Sequence, residues 1–171
     1  MIQEDKFCSK CSGSLRVQCV EGKKRLVCPN CGYVIYYDPK LVVIVVVPRE
    51  GQILMVRRAM EPGRLKWSLP GGFVDRGEVL EKAAEREVLE ETGIEIRVTG
   101  MISLFSETDS PVVVAAYSSE ILRGELTRGS EVLDLGFFSL DDLPLMAFPQ
   151  NYKVLECWQE QGRSRDLFGQ G

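Results

Sequence analysis

The chain has 171 residues, 44% apolar and 27% charged, with a net charge of −4. That is the composition of a globular domain with room for one small module, and it offers no basic surface for nucleic acid or an anionic membrane. There is no histidine, which excludes Ser-His-Asp and Cys-His nucleophile systems and any imidazole base, so chemistry falls to carboxylates, Lys, Tyr, Cys or bound metal. The opening stretch "MIQEDKFCSK" has no basic segment followed by an apolar run. It does not read as a secretory signal, and the expected compartment is a reducing cytoplasm.

Cys8, Cys11, Cys28 and Cys31 form two Cys-x2-Cys knuckles. This is zinc-ribbon spacing: each knuckle offers two adjacent corners of a tetrahedron, and four thiolates leave no open position for water. A structural Zn²⁺ site over residues 1–37 is expected, with Gly13 and Gly32 at the turns. Cys19 and Cys157 read as buried small apolar residues rather than ligands. Residues 1–37 hold six Lys and Arg against three acidic residues. A tetrathiolate zinc adds negative charge, so nucleic acid is not the expected partner. Residues 38–40 read as a linker.

The run "LVVIVVV" (41–47) is too short to cross a bilayer and reads as a strand buried on both faces. With "ILMVRR" (53–58) it predicts a hairpin. "KWSLPGG" is a short strand ending in a turn. A helix over 79–91 follows, with Gly93 as its stop. "IEIRVTGMISLFS", "PVVVAAYSSEI" and "VLDLGFFSL" are further strands. A helix over 149–162 starts near Pro149 and closes the domain at Gly162. Residues 163–171 read as a flexible tail.

The helix over 79–91 carries the informative departure. Its inward stripe is Leu80, Ala83, Ala84, Glu87, Val88 and Glu91. Glu87 and Glu91 stand where apolar residues belong, and Glu90 borders them at roughly 60° and 100° around the axis. Inward carboxylates must be paired or hold a metal. Arg86 reaches Glu90 at i, i+4, but one arginine cannot satisfy three carboxylates. Clustered hard oxygen ligands suit Mg²⁺ or Mn²⁺.

The window "GGFVDRGEVLEKAAEREVLEETGI" (71–94) resembles the Nudix box at every fixed position: Gly72, Glu78, Arg86, Glu87, Glu90, Glu91 and Gly93, with Val88 and Ile94 apolar. The resemblance implies a Nudix α/β/α sandwich with a mixed sheet, of α+β class, over 41–162. It implies divalent-metal-dependent cleavage of a nucleoside diphosphate derivative. On the matching positions, Glu87, Glu90, Glu91 and the Gly71 carbonyl would hold Mg²⁺ or Mn²⁺. Glu78 and Arg86 would brace the loop against the helix, and Glu131 would be a further ligand or the base.

The ribbon "FCSKCSGSL…CPNCGYVIYYDPK" and "SLDDLPLMAF" are similar to the ADP-ribose and FAD pyrophosphatase group, whereas "ISLFSETDSPVVV" departs from the Ser-Gln-Pro-Trp-Pro-Phe-Pro signature of the NADH enzymes. ADP-ribose or FAD is therefore the expected small-molecule substrate. The alternatives are an oxidised nucleoside triphosphate, NADH, or nucleotide sensing without catalysis. Arg57, Phe105 and Phe148 are the candidate substrate contacts, with Trp67 and Tyr117 as further aromatics able to stack on a base. A homodimer is left open.

Overall fold

A computed structural model describes residues 5–168, with side chains described through residue 162. Residues 1–4 and 169–171, the last of the expected tail, lie outside the described residues. The chain divides into two compact units at residues 39 and 40.

The first unit is a three-stranded antiparallel sheet, β1 (Arg16–Val20), β2 (Lys23–Val27) and β3 (Val34–Ile35), in that spatial order. Two matching turns carry the cysteines. Ser12 and Gly32 each donate a backbone N–H to the carbonyl of the first cysteine of the knuckle, at 2.8 and 2.9 Å. The left-handed position falls on Gly32 in the second knuckle (φ 75°) but on Ser12 (φ 57°) in the first. Gly13 serves a different purpose there, because a Cβ on it would stand 2.6 Å from Asn30 Nδ2.

The second unit contains, in chain order, β4 (Lys40–Val46), β5 (Pro48–Arg49), β6 (Gln52–Arg58), β7 (Trp67–Ser68), β8 (Gly71–Phe73), α1 (Leu80–Thr92), β9 (Ile94–Ser106), β10 (Val112–Gly124), β11 (Val132–Ser139) and α2 (Pro149–Phe168). The strands make two sheets. One runs β8-β4-β10-β9 and is mixed, with β4 and β10 parallel; the other runs β11-β6-β5, with β7 on β6.

The hairpin expected from 41–47 and 53–58 is not formed, because β4 and β6 lie in different sheets. A strand apolar on both faces needs neighbours on both edges, and β8 and β10 supply them. The chain leaves the sheet after Val46. A tight turn at Glu50 and Gly51, both with positive φ (52° and 79°), pairs the short β5 with β6 instead.

The two faces of β4 serve two cores. Val43, Val45 and Val47 pack with Ala83, Ala84 and Val88 of α1 and with Tyr117. Val46 packs with Ile53, Met55, Ala116 and with Val154 and Leu155 of α2. All four valines are fully buried, each stabilising the fold by about 1.5–3 kcal/mol relative to exposure. Helix α1 ends as its sequence predicts: Gly93 (φ 72°) donates its N–H to Leu89 O at 2.9 Å. Helix α2 runs past residue 162 to Phe168. Gly162 is accommodated inside it at a modest cost in helix propensity. No helix among the described residues is long and apolar enough to cross a membrane.

Candidate active site

One turn beyond the core contacts of α1, the same stripe brings Glu87 and Glu91 to a cleft of about 800 Å³ in the second unit. Three close approaches shape it. Gly71 N–H donates to Glu91 Oε2 at 2.9 Å. A Cβ on Gly72 would stand 2.5 Å from the Glu87 carboxyl, so the backbone lies directly against that side chain. A Cβ on Gly129 would overlap the Glu90 carbonyl oxygen and lie 3.1 Å from Glu91 Cα. Gly129 N–H also donates to Glu91 O at 3.0 Å, which fixes the loop carrying Glu131 over the end of α1.

Arg86 is the brace. Its Nε and Nη2 donate to the two Glu78 oxygens at 2.8 and 2.9 Å. Its Nη1 donates to Glu87 at 2.8 Å and to Glu90 at 3.1 Å, and Nη2 reaches Phe73 O at 3.2 Å. The loop before the helix is therefore tied to the helix face. Arg86 holds Glu78 down at about 2, with the Asp75 N–H adding to the effect. The opposite shift appears at the inward carboxylates. Burial pushes Glu91 up to about 8, with repulsion from Glu87 and Glu131 reinforcing it against the Gly71 N–H and Arg58. Burial also raises Glu87, against Arg86 and with Glu90 and Glu131. Buried, mutually repelling hard oxygens are a donor set that a divalent cation suits.

Glu78, Arg86, Glu87, Glu90, Glu91 and Glu131 thus share one locality, and Gly71 lines the same cleft. The expected substrate contacts divide. Phe148 lines the cleft. Arg57 does not: its Nε is held by Leu65 O at 3.0 Å, and its neighbour Arg58 takes the cleft position. Phe105 packs against the α2 core, Trp67 stacks edge-on against Phe138 at 4.7 Å, and Tyr117 is core. Tyr117 is fully enclosed and Trp67 and Phe105 are partly exposed, and none of the three rings lines the cleft. Sequence reasoning missed Arg58, whose guanidinium stands 5.1 Å over the Phe148 ring. It also missed Gly129 and Asn151.

In the first unit the Sγ atoms of Cys8, Cys11, Cys28 and Cys31 all lie within 4.8 Å of one another, with Cys11–Cys28 at 3.4 Å and Cys8–Cys31 at 3.7 Å. The Cys31 N–H lowers Cys28 to about 7, while against the Gly13 N–H the thiols of Cys28, Cys31 and Cys8 push Cys11 the other way, up to about 12; a bound cation would favour all four as thiolates. Among the described residues no other set of three or more candidate ligand atoms closes to that spacing; the glutamates stand further apart, with Arg86 between Glu87 and Glu90.

Residues 38–158 match the NUDIX domain family, and residues 6–37 match the zinc-ribbon family described as Nudix N-terminal. An ADP-ribose pyrophosphatase of Methanocaldococcus jannaschii is 32% identical over 120 residues, covering 68% of this chain and 71% of that protein. An NAD-capped RNA hydrolase NudC of Pseudomonas aeruginosa is 31% identical over 144 residues, covering 83% of this chain; the chain spans only 50% of that relative. Among solved structures, a NUDIX hydrolase from Nitrosomonas europaea superposes with a TM-score of 0.86 at 30% identity, covering 92% of each chain.

Proposed function

Because the chain belongs to the Nudix family and is a pyrophosphatase of that family, we propose that its substrate is ADP-ribose or FAD, cleaved to AMP and a phosphorylated partner. The observation that carries this reading is the meeting of Glu87, Glu91 and Glu131 at one cleft beside Arg58 and Phe148, in a chain 32% identical to an ADP-ribose pyrophosphatase.

Nudix enzymes work with divalent metals. Here Glu87, Glu90, Glu91 and the Gly71 carbonyl are the residues proposed to hold Mg²⁺ or Mn²⁺. The bound cation supplies charge neutralisation on the phosphate oxygens and acidifies water. The chain's own groups do the rest. Arg86 and Glu78 are positioning residues that keep the glycine loop on the helix. Arg58 offers positive charge to the diphosphate. Glu131, on the loop that Gly129 ties to the end of α1, is the proposed acceptor of the attacking water's proton. The four cysteines are the residues proposed to hold a structural Zn²⁺, and a tetrathiolate site calls for a reducing compartment such as the cytoplasm. The near-neutral ribbon supports a small nucleotide rather than a nucleic acid as the partner.

A substrate panel with Mg²⁺ and Mn²⁺, with products identified by mass, tests the reading. AMP with ribose 5-phosphate from ADP-ribose, or AMP with FMN from FAD, is expected to form fastest. A clear preference for NADH, NAD-capped RNA or 8-oxo-dGTP refutes it.

A further inference from the structure

The strand that follows Glu131 is not regular. Strand β11 runs antiparallel to β6, with Val132 opposite Arg58 and Asp134 opposite Arg57. Leu133 is the extra residue between them, a β-bulge. The burial pattern breaks at the same point: Val132 is buried, and Leu133 and Asp134 are both exposed in succession. A shift of one residue turns everything before it to the opposite face of a strand. The bulge therefore sets where Val132 enters the core. It also sets where Glu131, the residue before it, meets the cleft that it lines with Arg58.

A bulge leaves its extra residue without a partner in the ladder. Two side chains meet this one. Asp134 Oδ1 accepts the Leu135 N–H at 2.9 Å, and Arg128 Nη1 donates to Leu133 O at 2.8 Å. The second bond closes residues 128–133 into a ring that contains Glu131. On the other side the Ala59 N–H donates to Glu131 O at 3.0 Å, and the Val132 N–H donates to Gly129 O at 3.3 Å. The Glu131 carboxylate makes no hydrogen bond or ion pair among the described residues, so its aim is set by the backbone that carries it. Arg128 does not line the cleft and makes no ion pair among the described residues. Its bond to Leu133 is exposed and adds little to stability. What that bond fixes is geometry.

We propose that Arg128 is a positioning residue for the reaction: by holding the Leu133 carbonyl it keeps the bulge formed and Glu131 at the cleft beside Arg58. This rests on the proposed role of Glu131 as proton acceptor. A base on a loop must keep its place to within a fraction of an ångström for proton transfer to compete. Gly129 ties the loop to α1 on the near side of Glu131, and Arg128 ties it to β11 on the far side.

The test assays the full zinc-loaded chain with Mg²⁺ on ADP-ribose, or on whichever substrate of the panel is cleaved fastest. Arg128→Met keeps the stem and removes the donor. It should lower kcat by about 10-fold or more with KM within about twofold of wild type. Its melting temperature should fall by no more than about 4 °C. Arg128→Lys, which keeps a donor on a long stem, should recover kcat to within about threefold of wild type. Glu131→Gln should itself be slowed on the order of 10²-fold. Adding Arg128→Met to it should change the rate by less than about twofold, because the base that Arg128 places is gone. An Arg128→Met enzyme with wild-type kcat overturns the proposal. So does an equal loss in both backgrounds, the signature of a merely structural arginine, and so does a loss confined to KM, the signature of a substrate contact. If Glu131→Gln keeps the wild-type rate, the reading of Glu131 as proton acceptor fails and the proposal falls with it. If Glu131→Gln is slow and Arg128→Met is not, the positioning role alone fails.

Discussion

Gly129→Ala tests how the Glu131 loop is held. Gly129 packs so closely on the end of α1 that an added Cβ overlaps Glu90 O and sits 3.1 Å from Glu91 Cα. Both are helix backbone atoms and cannot swing aside, so the loop must move. Its N–H then loses the 3.0 Å bond to Glu91 O, at about 1 kcal/mol. Overpacking adds about 1–3 kcal/mol, and the stiffer unfolded chain returns about 0.4–1 kcal/mol. The net expectation is a loss of about 1–3 kcal/mol, read as a lower urea midpoint at unchanged slope. A displacement of about 1 Å also carries Glu131 away from Glu87 and Glu91, and kcat/KM under folded conditions should fall on the order of 10²-fold. Gly162→Ala is the control. It lies inside α2 with nothing within 4 Å of the added Cβ, and should raise stability by about 0.5–1 kcal/mol with activity unchanged. If Gly129→Ala keeps both its midpoint and its rate, the loop is not held by this close approach and the reasoning fails.

Glu87→Gln and Glu91→Gln should each lower the rate by on the order of 10²–10³, while exposed Glu81→Gln on the same helix should leave it within about twofold; equal small effects at all three would refute the metal assignment. Cys28→Ser should lower the zinc content of the purified chain from one ion, read by elemental analysis, and full zinc retention would contradict the tetrathiolate site. Glu78→Gln should flatten the acid end of the stability profile. Glu78 titrates near 2 in the fold against an ordinary 4.5, so between those values the unfolded chain binds more protons. Its stabilisation is therefore present above 4.5 and lost as pH falls toward 2, and acid unfolding curves of equal slope for wild-type and variant would contradict the Arg86 pair.

The features legible in the sequence are those that covalent spacing alone decides. Cys-x2-Cys fixes a knuckle wherever it lies. Three glutamates on one helix share a face whatever packs against them. What was misread depends on distant partners. Nothing within 41–58 says that β4 must pair with residues 71–73 and 112–118 rather than with the next strand. Arg57 and Arg58 end a strand buried along most of its length, so no alternation tells which one turns to the cleft. Gly93 and Gly162 look alike as helix stops, but Gly93 directly precedes a strand that turns the chain, whereas Gly162 lies inside α2. Asn151 reads locally as an ordinary polar residue of a first helical turn. That local pattern does not reveal its burial.

The pairing of β4 has a further consequence during synthesis. Both of its edge partners come later in the chain: β8 at Gly71–Phe73 and the parallel β10 only at Val112. A growing polypeptide therefore carries its most apolar strand uncovered until most of the second unit has been made, and parallel pairing between remote segments is slow to form. Such a segment is an aggregation hazard in that interval. The sequence places Lys40 at one end of the run and Pro48-Arg49 at the other, a charge and a strand breaker of the kind that discourages edge-to-edge association. On that reasoning, replacing those flanking residues with apolar ones should lower the yield of folded protein without altering the finished site.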